Sequence, residues 1–144
     1  MLKIVSIAGY IGMLGGLVGL VGTGKLFSPS PFVIVFQVLA FMLFVWARVT
    51  FGRRSYHAMA NPTEGGLVTN GPYRYIRHPI YASFCAFTLA GAVAHWSWSS
   101  VLCGGLILGC AMVRMLCEES LVVERYPEYA QYKAATWRMI PYVY

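Results

Sequence analysis

The chain has 144 residues, of which 58% are hydrophobic and only 11% charged, with a formal net charge of +6. That balance lies outside the range of soluble domains and predicts an all-α integral membrane bundle, folded as a single domain over residues 1–144. The basic residues cluster at the ends of apolar runs, as membrane orientation requires. No basic stripe or aromatic platform accompanies them, so nucleic acid is set aside as a partner.

In chain order, residues 4–21 form an apolar run of 18 residues that predicts a retained first span rather than a cleaved leader. Within it, Gly12/Gly16 and Gly15/Gly19 are overlapping small-xxx-small pairs that let a second helix approach closely. A helix of the same chain is the favoured partner, with a homodimer through this helix as the alternative. Gly22 to Pro31 reads as a turn, and residues 32–49 as a second span ending in Arg48. A polar connection follows, with Arg53-Arg54 and the turn signals Asn61-Pro62 and Gly65-Gly66. The third apolar run, 80–94, has 15 residues and predicts a short or tilted helix. His95 to Ser100 reads as an interfacial hairpin turn with Trp96 and Trp98 in an aromatic belt. The fourth span is 101–117, after which the chain becomes amphipathic and predicts a C-terminal cytosolic helix starting near Pro127.

Four cysteines, Cys85, Cys103, Cys110 and Cys117, all fall in apolar segments and form no CxxC pair. They read as small packing residues, and no metal site or disulfide is expected. Lys and Arg number five from Arg48 to Arg77, three after Cys117, one in the Gly22–Pro31 turn and none over 95–100. This asymmetry predicts that the N-terminus, the long connection and the tail all face the cytosol. It places Asn70–Phe84 and the Glu118 region on one face.

On that face three features meet. Pro79 suits the first position of a helix, with His78 at its cap and Tyr81 just inside, and Arg74 and Arg77 add positive charge there. Such an end favours an anionic guest, although the same arginines and tyrosines also serve as ordinary headgroup anchors. Glu118 and Glu119 stand at the predicted end of the fourth span, where they oppose the helix dipole; Arg114 is placed to pair with Glu118. The tail holds Tyr129, Tyr132, Lys133 and Arg138. A cationic helix start, an acidic pair and an aromatic cover imply an amphoteric ligand, and the pattern alone does not choose between S-adenosylmethionine and a zwitterionic lipid headgroup.

The run Gly71-Pro-Tyr-Arg-Tyr-Ile-Arg-His-Pro-Ile-Tyr81, then Glu118-Glu119-x-Leu121, Tyr129-x-x-Tyr132 and Arg138-x-Ile-Pro141, resembles the isoprenylcysteine carboxyl methyltransferase family. The related phospholipid N-methyltransferases share the general pattern, and the resemblance spans about residues 65–144. It implies methyl transfer from S-adenosylmethionine, leaving S-adenosylhomocysteine, in a membrane fold without a Rossmann domain. By the same resemblance Tyr73, His78, Pro79, Tyr81, Glu118 and Glu119 would bind the cofactor. Arg77, Arg138 and His78 would be catalytic, with the arginines near the acceptor. The acceptor would be a lipophilic small molecule or lipid-modified substrate reached from membrane lipids. A phospholipid N-methyltransferase and a small lipid-binding protein without chemistry are the alternative readings.

Overall fold

The computed structural model describes residues 1–52 and 66–143. Among the described residues five α-helices follow one another: α1 (Leu2–Gly22), α2 (Pro31–Phe51), α3 (Pro79–Ala94), α4 (Trp98–Arg125) and α5 (Tyr129–Ala135). A 3-10 turn, Gly71–Arg74, precedes α3. Arg53-Arg54 and the Asn61-Pro62 signal lie outside the described residues, as does Gly65.

Helix α1, α2 and α4 are each long and apolar enough to cross a membrane, while α3 has 16 residues, short for a full span as its sequence predicts. The starts of α2, α3 and α4 have local causes. Pro31 and Pro79 occupy first-turn positions where a missing N–H costs nothing. Ser97 caps α4, its side chain accepting from the Ser100 N–H at 3.3 Å.

Two boundaries differ from expectation. Helix α4 begins at Trp98, inside the predicted hairpin turn, because Ser97 is a competent cap. It also runs on to Arg125 rather than ending at Cys117. At about 1.5 Å per residue its 28 residues exceed the ~30 Å hydrocarbon thickness, so the last turns stand clear of the apolar layer. Glu118 and Glu119 are therefore interior to a helix, not at its end, and the dipole at their position is no longer the opposing end charge.

Helix α1 lies along α4, α2 along α3, and α3 against α4, while α1 and α2 are not packed on one another. The α1–α4 seam explains both the glycines and the seven-residue cysteine repeat. Gly12, Gly16 and Gly19 face Cys110, Ile107 and Cys103 of α4, so two backbones close in where no side chain intervenes. A Cβ at Gly16 would stand 2.6 Å from Ile107 Cγ1 and 2.9 Å from the Cys103 carbonyl. Gly15 is turned away, with nothing within 4 Å. The partner of the glycine face is thus a helix of the same chain.

The end of the bundle away from Glu119 is clasped by polar contacts. Lys25 donates to Ser97 Oγ and Ser99 Oγ at 2.8 and 2.6 Å. Buried Gln37 donates to the carbonyls of Leu26 and Phe87 at 2.8 and 3.1 Å. Gly91 lets the Leu26 carbonyl lie directly on α3, where any Cβ would collide. Trp96 and Trp98 point outward at this end, 78% and 83% exposed, as a belt does. Phe32, Phe36, Leu39, Phe41 and Trp46 expose an apolar flank of α2 that only lipid tolerates.

The seam gives a direct check. Gly16→Leu should lower stability by about 1–3 kcal/mol through overpacking, read as a fall in the detergent-phase thermal midpoint by circular dichroism. Gly15→Leu should leave the midpoint where it is. Equal midpoints for both would refute the assigned face.

Candidate functional site

The site is assembled by a two-residue backbone bridge between the approach to α3 and the tail. Trp137 N–H donates to the Tyr75 carbonyl at 3.1 Å, Arg77 N–H to Trp137 at 2.8 Å, and His78 N–H to Arg138 at 3.0 Å. This parallel pairing of Ile76 with Trp137 lays the tail against the start of α3. Arg77, His78 and Arg138 are thereby delivered to one place, although 61 and 60 positions of sequence separate the first two from the third.

At that place is Glu119, 5% exposed. Its carboxylate accepts from Arg77 Nε at 3.1 Å and from Arg138 at 3.1 and 2.9 Å. His78 Nε2 is 3.2 Å away and Lys133 Nζ 3.7 Å. Arg77 also donates to the Lys133 carbonyl at 3.1 Å and to the Thr136 carbonyl, fastening the end of α5. One carboxylate thus gathers α3, α4, α5 and the tail.

Glu118, one residue earlier on α4, faces a different set. It accepts from the Tyr81 hydroxyl and from Arg114 at 3.3 Å, with His78 Nδ1 3.9 Å away. The Tyr81 oxygen in turn accepts from Arg114 Nε at 2.8 Å. His78 therefore stands between the two glutamates, one ring nitrogen toward each.

These groups line a cavity of about 370 Å³. Its charged end holds Arg77, His78, Glu118 and Glu119; its apolar end holds Met13 and Leu14 of α1, Phe44 and Phe51 of α2, and Ile80 and Phe84 of α3. Tyr10, Tyr73, Tyr81, Tyr126, Tyr129 and Tyr132 contribute rings, and Arg48 and Arg114 further charge. Burial pushes the Tyr132 phenol up to about 12, and its hydroxyl donates to the Tyr73 carbonyl at 2.7 Å. Burial first, then Tyr132 and Glu118, likewise raise the Tyr73 phenol, against a smaller opposing pull from Arg48.

Of the residues singled out from sequence, Tyr73, Arg77, His78, Tyr81, Glu118 and Glu119 all meet at this cavity. Pro79 is buried at the helix start, and Arg138 bonds to Glu119, which lines the cavity. The pairing of Arg114 with Glu118 holds, but its span to Tyr81 and α1 was not legible. Tyr10 and Arg48 sit in spans that read simply as hydrocarbon-facing, and no spacing signal marks them.

Two outcomes follow from this geometry. Glu119→Ala leaves buried cations uncompensated and should cost about 3–5 kcal/mol, with residues 129–143 becoming susceptible to limited proteolysis before the rest of the chain; a tail as resistant as the wild type's would contradict the hub. The raised Tyr132 phenol contributes stability that is complete below its ordinary value of 10.0 and is lost as pH rises toward about 12. Tyr132→Phe should lessen the fall of the unfolding midpoint over that window without abolishing it, because the Tyr73 and Tyr129 phenols are raised as well.

A family model for phospholipid methyltransferases matches residues 49–129, just over half the chain. The matched stretch runs from the end of α2 to the start of α5 and includes Tyr73, Arg77, His78, Pro79, Tyr81, Glu118 and Glu119, leaving out α1 and Arg138. No curated protein and no solved structure gives a match. The family so matched is the phospholipid branch related to the carboxyl methyltransferases that the motifs resemble. By that match the chain belongs to the phospholipid methyltransferase family and is a membrane methyltransferase.

Proposed function

We propose that the protein transfers a methyl group from S-adenosylmethionine to the headgroup amine of a membrane phospholipid, at the cytosolic edge of the bilayer. The observation that carries this reading is the division of labour between the two glutamates. Arg77 and Arg138, which would orient a carboxylate acceptor, are both engaged by Glu119. Glu118 is held by Tyr81 and by Arg114 through Oε1, yet it lines the cavity with 25% of its side chain exposed, against 6% for Glu119, so it is the more accessible of the two carboxylates. A cationic or amine-bearing guest suits that surface better than a carboxylate does.

The residues also fit the methyl donor. The cavity falls in the ordinary range for small-ligand sites. Tyrosine faces favour a sulfonium cation, and the Glu118 carboxylate suits ammonium and hydroxyl groups. When bound, S-adenosylmethionine supplies an electrophilic methyl carbon and departs as S-adenosylhomocysteine.

The chain's own contribution is placement and proton handling. Phe44, Phe51, Ile80 and Phe84 exclude water and leave room for the lipid stem, which enters between the unpacked α1 and α2. Arg48 on the α2 wall complements a headgroup phosphate, with Glu118 toward the amine. An ammonium must shed a proton before its nitrogen can act as nucleophile, and His78, between Glu118 and Glu119, is the group positioned to accept it. Alignment of donor and acceptor in a dry site supplies the rest of the acceleration.

Incubation with methyl-labelled S-adenosylmethionine and total lipid should place label in amine-bearing phospholipids as acid- and base-stable N-methyl groups. Label released by mild base as methanol would instead indicate a carboxyl ester and overturn the acceptor. Glu118→Gln and His78→Ala should each weaken S-adenosylhomocysteine affinity or turnover by roughly 10- to 100-fold. Affinity and turnover unchanged in both would remove the site assignment.

A further inference from the structure

Arg114 is a buried cation tied to two other helices. It lies on α4 among apolar residues, 4% exposed, where an unpaired guanidinium would be very costly. Its Nε donates to the Tyr81 hydroxyl at 2.8 Å, one terminal nitrogen to the Ser6 carbonyl of α1 at 2.8 Å, and the other to Glu118 at 3.3 Å. Its guanidinium carbon lies 5.1 Å from the Tyr10 ring centroid and 5.8 Å from that of Tyr81. The aliphatic stem crosses α1 at Gly9, where a Cβ would come within 2.9 Å of Arg114 Cγ.

We propose that Arg114 is the positioning residue of the cavity: seated on α1, it holds the Tyr81 phenol and the Glu118 carboxylate in one orientation toward the ligand. Without it, the Tyr81 oxygen loses its donor and Glu118 its fixed counter-charge, so both side chains regain rotamers that point elsewhere. The planar fork is required. A lysine retains the charge but cannot reach the Ser6 carbonyl, the phenol and the carboxylate from one position. Helix α1, outside the family-matched stretch, thereby becomes part of the site's architecture without needing to touch the reacting atoms. The inference rests on the methyltransferase reading of the cavity for its ligand, but not for its geometry.

The test uses purified full-length protein in detergent, with thermal midpoints recorded for every variant. S-adenosylhomocysteine is titrated against wild type, Arg114→Gln, Arg114→Lys, Glu118→Gln and the double variant Arg114→Gln/Glu118→Gln. Each single change should weaken binding at least tenfold, lysine should not rescue, and the double should be no weaker than the worse single. Rescue by lysine, or losses that simply multiply, would overturn the proposal. In parallel, 3-fluorotyrosine at position 81 alone reports the phenol's surroundings by ¹⁹F NMR with no ligand present. Arg114→Lys and Gly9→Ala should both shift or split that resonance, and Gly15→Ala should not. Because Gly9→Ala disturbs the seat without removing the charge, it decides the matter even where Arg114→Gln fails to fold. A wild type that binds no S-adenosylhomocysteine yet shows these shifts refutes the ligand and upholds the positioning. An unmoved resonance refutes the positioning whatever binds.

Discussion

Everything at the functional end depends on one buried carboxylate finding enough positive charge. Glu119 would be untenable alone in so dry a place. It is stable there because Arg77, His78, Arg138 and Lys133 converge on it from three separate segments. The requirement works in both directions: the cations also need the glutamate, so each segment is held in place by the others. The backbone bridge of Ile76 with Trp137 brings the tail close enough for the ion pairs to form. Neither contact suffices by itself, since a single isolated bridge is weak and an unaligned arginine would prefer water.

The adjacent glutamate is thereby released for a different task. Glu118 and Glu119 are neighbours on α4, about 100° apart around the helix axis; both line the cavity, but that angle gives Glu119 to Arg77, His78, Arg138 and Lys133 and Glu118 to Tyr81 and Arg114. The identity of each could not be read from the dipeptide. Their partners arrive from α1, α3 and the tail, and only the folded chain says which partner goes where.

Much of the rest was legible. Apolar runs gave the helices because hydrocarbon length is a hard constraint, and Pro79 marked the start of α3 for a reason local to its own ring. The charge asymmetry brought the Asn70–Phe84 stretch and the glutamate pair to one end, where the structure has them. What escaped notice has physical causes. The continuation of α4 past Cys117 is not legible because the onset of polarity marks only the end of the apolar layer, not the end of the helix. Gly12, Gly16 and Gly19 were recognisable as a close-packing face, but Gly15 points away, and helical pitch alone does not say which of two overlapping pairs is used. Tyr10 carries no site signal because it stands singly within an apolar run, Arg48 reads as a span end, and the i,i+4 spacing of Arg114 reveals its pairing with Glu118 but not its contacts with Tyr81 and α1.

The unbroken length of α4 also fixes how deep the chemistry can occur. From Trp98, at one interface, to Glu119 is 21 residue steps along a single helix, or about 32 Å at 1.5 Å per step. That is close to the hydrocarbon thickness of a bilayer. The helix acts as a ruler: with Trp98 moored at one surface, its length sets both glutamates level with the headgroups of the opposite leaflet. On the proposed reading, an amine lying in that plane would reach them by lateral diffusion, without being lifted out of the membrane.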